Sequence, residues 1–191
     1  MKKILIGTHN KGKFKEIAYL ISKKYRKISP TELKIRSPKE TGKSFISNSK
    51  LKVRYFSKYV DYPVISDDSG LCIKALKNQP GIYSARMAKR HSGFFNAMKF
   101  ILKKMKKAKT RSATFVCSLS YKNKNKKIIT VEGRVKGNIS TKILGKKGFG
   151  YDPIFKPLNK QITFGQMPKI KKLKMDHRFV AFKKLKKKIN I

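Results

Sequence analysis

The chain has 191 residues, 22.0 kDa, 39% hydrophobic content, and fifty Lys and Arg against nine Asp and Glu, for a formal charge of +41. That length suits one well-buried core and leaves little for a second full domain. Cys72 and Cys117 are the only cysteines, too few for a cysteine metal cluster or a disulfide framework, and they fit reduced thiols in a cytosolic protein.

In chain order, "KILIG" (3–7) predicts a buried strand, followed by a polar turn and a helix over roughly 12–24. The opening "MKKILIGTHNKGK" starts like a signal peptide, but its apolar stretch is short and turns polar at Thr8. No run approaches a membrane span, so a soluble cytoplasmic protein with no membrane partner is expected. "SFISNSKLKVRYFSKYV" (44–60) predicts a helix that buries Phe45, Leu51, Tyr55, Phe56 and Tyr59. "YPVIS" (62–66) reads as a short strand and "FFNAMKFILKKMKK" (94–107) as an amphipathic helix with a basic outer face. "SATFVCSLSY" (112–121) and "KKIITVEGRV" (126–135) read as paired strands joined by the polar "KNKN" turn, and "RFVAFKKLKKKI" (178–189) as a closing helix. The pattern predicts one domain of the α/β or α+β class with a mixed sheet.

The charge allows two readings. Clustered Lys and Arg are the footprint of a polyanion binder. Here the basic residues are mostly Lys and run along the whole chain, which favours a bias that fills tolerant surface positions. Against that background a surviving carboxylate marks a position that needs one.

Two stretches carry chemistry. "GTHNKGKF" (7–14) follows the first strand and matches G-x-x-x-x-G-K, but Phe14 stands where a P-loop has its magnesium-binding Ser or Thr, and no Walker-B strand follows. It reads either as an ordinary polar strand–helix turn or as a phosphate site at a helix N-terminus. "ISDDSGL" (65–71) places Asp67 and Asp68 at the mouth of an apolar strand, ahead of Ser69 and Gly70. Adjacent buried carboxylates need compensation, by hydrogen bonds in an Asx-type turn or by a cation such as Mg²⁺.

Six segments in order are similar to the inosine/xanthosine triphosphate pyrophosphatase family: "THNKGKFKEI" (8–17), "ETGKSFISNSKLKV" (40–53), "ISDDSGL", "QPGIYSAR" (79–86), "GFGYDPIF" (148–155) and "MDHR" (175–178). Taken alone, "GFGYDPIF" is a Gly-punctuated turn before a strand and His177 a surface or capping histidine. The resemblance implies an elongated mixed β-sheet flanked by helices, in two lobes with a central substrate cleft, and a homodimer. It implies Mg²⁺-dependent hydrolysis of non-standard purine nucleoside triphosphates (ITP, dITP, XTP) to the monophosphate and pyrophosphate. Thr8, His9, Asn10, Lys11, Gly12 and Lys13 would hold the triphosphate, and Asp68 would be the catalytic carboxylate and a metal ligand with Glu40. Ser69 would touch substrate, Phe149, Gly150, Tyr151 and Asp152 would line the base pocket, and Lys172, His177 and Arg178 would complete the nucleotide contacts, Arg178 by donating to a 6-keto oxygen. Three positions depart from the family pattern: Ser47 where Glu is common, Asp176 before His-Arg, and Gln166 before Met167. Asp176 would tether Arg178 or compete with the base for it. The competing reading is a catalytically weak nucleic-acid or polyanion binder on this fold, with no specific nucleic-acid partner expected of the enzyme.

Overall fold

A computed structural model describes residues 1–124 and 126–189. Its strands are β1 (Lys2–Ile6), β2 (Tyr25–Ile28), β3 (Val64–Ile73), β4 (Gln79–Pro80), β5 (Ser112–Lys122), β6 (Ile129–Ile139) and β7 (Phe155–Pro157). Its α-helices are α1 (Lys11–Leu20), α2 (Phe45–Phe56), α3 (Ser84–Arg90), α4 (Phe94–Lys104), α5 (Lys169–Leu173) and α6 (His177–Lys186). The strands form one seven-stranded sheet in the order β2-β1-β3-β5-β6-β7, with β4 on β3. β1 is parallel to β2 and β3, while the β3–β4 and β6–β7 pairs are antiparallel, so the sheet is mixed as expected.

The chain forms two compact units. The first comprises residues 1–68, 117–133 and 178–191, the second residues 69–116 and 134–177, and β3, β5 and β6 run from one into the other. In the first unit Ile4, Leu5 and Ile6 are all fully buried. Ile4 and Ile6 pack with Ile17 of α1 and with Ala181 and Phe182 of α6, whereas Leu5 packs with Val53 and Phe56 of α2. A parallel strand covered on both faces needs this continuous apolar run. The second unit is built around Leu71, Ile73, Ile101 and an aromatic cluster of Phe115, Phe155 and Phe164.

The buried stripe of α2 differs from the expected one. It is Phe45, Asn48, Ser49, Lys52, Val53 and Phe56, with helical spacing but three polar members. Tyr59 lies beyond the helix and is exposed, and Leu51 and Tyr55 are half-buried. The strand expected over 62–66 runs instead to Ile73, because Asp67 through Gly70 keep extended pairing rather than forming a turn. β2 was not expected; its Tyr25 and Ile28 are buried while Arg26 between them is exposed. The expected α1 stops at Leu20. The "KNKN" turn includes Asn125, which lies outside the described residues. Among the described residues no helix is long and apolar enough to cross a membrane.

Gly70 positions the second unit's share of β3. A Cβ there would overlap the Gly81 carbonyl oxygen and the Ser84 hydroxyl. That hydroxyl accepts from the Leu71 amide at 3.0 Å and donates to the Gly81 carbonyl at 2.7 Å. Gly70→Ala is therefore expected to destabilise the protein by about 1–3 kcal/mol, the cost of overpacking against backbone that has little room to yield. Chemical denaturation checks this.

Candidate active site

The site is best built from β3. Successive side chains of a strand point to opposite faces, and this separates the two adjacent carboxylates. Both are buried, Asp67 completely and Asp68 to 4% exposure. Asp67 faces α1 and α6: its Oδ2 lies 3.1 Å from Lys13 Nζ and 3.6 Å from Arg178 Nε. Burial pushes its carboxyl up, but Lys13, Arg178 and Lys52 outweigh that and hold it well below the usual carboxylate range. Asp68 faces α2, where its Oδ2 accepts from Asn48 Nδ2 at 3.0 Å. For Asp68 burial dominates; Lys13, Lys52 and Asn48 offset only part of it, Glu40 adds to it, and the carboxyl is raised. The cation that Asp67 needs is thus supplied by side chains. Asp68 is the one of the two whose carboxyl burial raises.

The α2 stripe explains how these groups are held. Ser44 caps α2 and Ser47 completes a capping box, its hydroxyl accepting from the Ser44 amide at 2.9 Å. Asn48, one position on, accepts from the Gly42 amide at 2.8 Å while donating to Asp68, so the 40–44 segment and the carboxylate share one anchor. Lys52, a turn later on the same face, donates to Glu40 Oε1 at 2.9 Å. Burial opposes a charge on Lys52, but Asp67, Glu40 and Asp68 together raise its pKa, so it stays an ammonium among three carboxylates.

At the end of β1, Asn10 caps α1 by accepting from the Lys13 amide at 3.0 Å, and the Thr8 hydroxyl accepts from the Asn10 amide at 3.2 Å. His9 bonds the Ile35 carbonyl through Nε2 (2.9 Å) and Ser37 through Nδ1 (2.6 Å), which anchors the following loop. Lys11 is exposed and Gly12 half-buried. Arg178, buried in the first unit, donates to Glu16 Oε2 at 2.8 Å.

The second unit holds a separate polar pair. Lys172 and Asp152, each 3% exposed along the side chain, are joined at 2.6 Å. Asp152 also accepts from the Phe149 amide at 2.8 Å, and the Lys172 ammonium sits 4.8 Å from the Phe149 ring centroid. His177 stacks on Phe115 at 4.7 Å and an interplanar angle of 7°.

The Ham1 family model matches residues 4–188. The chain is 39% identical over 186 residues to a dITP/XTP pyrophosphatase of Caulobacter vibrioides, covering 96% of each, and 40% identical over 189 residues to one of Dictyoglomus thermophilum, covering 96% of this chain and 92% of the relative. It superposes on a Ham1 protein of Staphylococcus aureus with a TM-score of 0.86 and 33% identity over 97% of both chains. A Ham1 protein of Coxiella burnetii gives 0.88 and 30% over 98% of both. The chain belongs to the Ham1 family.

The structure gives several expected residues further partners on this Ham1 chain. Tyr151 is buried at 2% exposure, its hydroxyl donates to the Ser84 carbonyl at 2.9 Å, and its ring meets Phe94 edge-on. Arg178 is held by Glu16 and Asp67. His177 is buried against an aromatic ring and is not a surface histidine. Gln166 braces a turn by accepting from the Thr163 amide at 3.1 Å, and Ser47 spends its hydroxyl on the helix cap. Phe149 and Gly150 are half-buried, and Ser69 follows Asp68 within β3.

Sequence reasoning missed Glu16, Asn48 and Lys52. Glu16 could have been found as one of only nine acids in a basic chain, three residues after Lys13. Asn48 and Lys52 carry a weaker signal: they lie four apart, on one helix face.

Proposed function

We propose that this chain is a nucleoside triphosphate pyrophosphohydrolase that cleaves non-standard purine nucleoside triphosphates, ITP, dITP and XTP, to the monophosphate and pyrophosphate with Mg²⁺, as a cytoplasmic homodimer. The observation that carries the reading is the division of labour within the carboxylate pair: Asp67 is neutralised by Lys13 and Arg178, whereas Asp68 is raised by burial and by Glu40. A purely polyanion-binding surface has no use for such a carboxylate.

Among the described residues no three His, Cys, Asp or Glu side chains form a metal-holding group. Two carboxylates suffice for Mg²⁺, which prefers hard oxygens, keeps several waters and takes phosphate oxygens from its substrate. Glu40 and Asp68 are such donors, and their mutual repulsion, which with burial raises the Asp68 carboxyl, is what a bound divalent cation would relieve, so the residues fit. Bound there, Mg²⁺ supplies Lewis-acid polarisation of a phosphate oxygen. Asp68 accepts the proton of the attacking water as the α–β anhydride bond breaks. Lys11, Lys13 and the first amides of α1 take negative charge from the phosphates, with Thr8 and Asn10 fixing that turn. In the second unit, Phe149 stacks on the purine and Asp152 with Lys172 orients the polar edge of the pocket.

Steady-state turnover of ITP against ATP with Mg²⁺, with products identified by phosphorus NMR, tests the reading; release of inorganic phosphate in place of pyrophosphate would refute it. Phe149→Ala should weaken ITP and ATP about equally, by about 1–3 kcal/mol in kcat/KM, since either purine presents a π-face. A loss confined to ITP would place base discrimination in that ring.

A further inference from the structure

The inward face of α2 carries an asparagine where an apolar residue would pack. Asn48 is fully buried, and asparagine is a weak helix former whose amide is costly to bury without partners. Its placement is fixed from the backbone outward. The Ser44–Ser47 capping box starts the helix, and the backbone N–H of Asn48 donates to the Ser44 carbonyl at 3.1 Å. The preceding turn then locks the side chain. The Gly42 backbone N–H can only donate, so the atom it meets at 2.8 Å is the carbonyl oxygen Oδ1, and the NH₂ group is left to face Asp68. A Cβ at Gly42 would overlap Asn48 Oδ1 and Ser47 Oγ, so the turn sits directly on α2 because that position is glycine.

We propose, on the reading of Asp68 as the proton acceptor, that Asn48 is a positioning residue of the hydrolytic site, holding the Asp68 carboxylate in the rotation from which it takes the proton of the attacking water. The torsion that turns an aspartate carboxylate is broad and roughly two-fold, so burial by itself leaves that rotation unset. The bond from Asn48 Nδ2 to Asp68 Oδ2 at 3.0 Å sets it. Asn48 itself, at 0% exposure, is out of a substrate's reach and acts through Asp68. The other polar groups of this helix face are engaged elsewhere: Lys52 donates to Glu40, and Ser49 bonds the Ser118 and Ser120 hydroxyls. Misplacing a reacting group by about 1 Å can lower a rate by about 10²-fold, and removing the partner that orients a functional carboxylate typically lowers activity by about 10–100-fold.

The test is steady-state kinetics with ITP on the full protein, beside thermal melts. Asn48→Leu keeps the volume without a donor, and Ser49→Ala is a control that removes a buried hydroxyl of the same helix without touching Asp68. Asn48→Leu should lower kcat by about 10–100-fold with KM near the parent's, the split left by an interaction that matters only in the transition state. Ser49→Ala should lower the melting temperature and keep parental kcat. In an Asp68→Asn background, Asn48→Leu should cost little further, because the group it orients no longer accepts a proton. Asn48→Ala, assayed well below its melting temperature, replaces the leucine variant in every arm if the latter fails to fold. Parental kcat in the Asn48 variants beside an impaired Asp68→Asn would overturn the role of Asn48 and leave that of Asp68 standing. Equal fractional losses in the two backgrounds, or a kcat loss in Ser49→Ala as large as in Asn48→Leu, would make Asn48 a strut of α2 instead. Near-parental kcat in Asp68→Asn would overturn the role of Asp68 and that of Asn48 with it.

Discussion

Asp68→Asn is expected to lower kcat by about 10²–10⁴-fold, the usual worth of a positioned proton acceptor, while nucleotide affinity is largely kept. The amide oxygen of the replacement can still accept from Asn48, so the fold around α2 survives. Stability should be unchanged or rise. Burial and Glu40 disfavour a charge on Asp68 in the folded state, and a neutral isostere removes that penalty at neutral pH. The neighbouring change should fail in the other way. Asp67→Asn removes the carboxylate that Lys13 and Arg178 share in a fully buried position, which costs about 3–5 kcal/mol because buried cations lose their counter-charge. Single-turnover kinetics and thermal melts on the two variants separate the roles. Near-parental kcat in Asp68→Asn would remove it from the mechanism, and an unchanged melting temperature in Asp67→Asn would show that its cations are held by other groups.

This contrast also shows what the sequence could reveal and where it misled. The adjacency of Asp67 and Asp68 was legible, as was their rarity in a chain of fifty basic residues. Reading them as a repelling pair at a strand mouth assumed that the strand ended there. It continues to Ile73, and the pleat then turns Asp67 toward Lys13 and Arg178 and Asp68 toward Asn48. Long apolar runs such as Ile4 to Ile6 were legible because both faces of a parallel strand are buried. The inward face of α2 was not, since periodicity was sought among apolar residues. Asn48, Ser49 and Lys52 lie inward because partners await them: Asp68 for Asn48, the Ser118 and Ser120 hydroxyls for Ser49, and Glu40 for Lys52. Such partners are distant in sequence, so local pattern cannot supply them. Arg178 is the extreme case, meeting Glu16 across 162 positions.

Lys172→Ala is the second change with a large expected effect, and here stability and recognition have to be disentangled. It strips Asp152 of a cation held at 2.6 Å, in a pair whose side chains are each 3% exposed. Removing one partner of a buried pair costs about 3–5 kcal/mol, which for a chain of this size lowers the melting temperature by about 6–20 °C. It also uncovers the face of Phe149 on which the ammonium rests. The single variant alone therefore cannot distinguish a lost nucleotide contact from a loosened second unit. The double variant Lys172→Met, Asp152→Asn can: it removes both charges together, keeps similar volume, and leaves the amide oxygen of the replacement able to accept from the Phe149 amide. Most of the lost stability should return, since a buried pair replaced as a whole is often nearly neutral. If Lys172 and Asp152 orient the purine, kcat/KM for ITP should stay depressed in the double variant while the melting temperature recovers. Recovery of both together would make the pair a strut of the second unit, with base recognition lying in Phe149 and the backbone around Gly150.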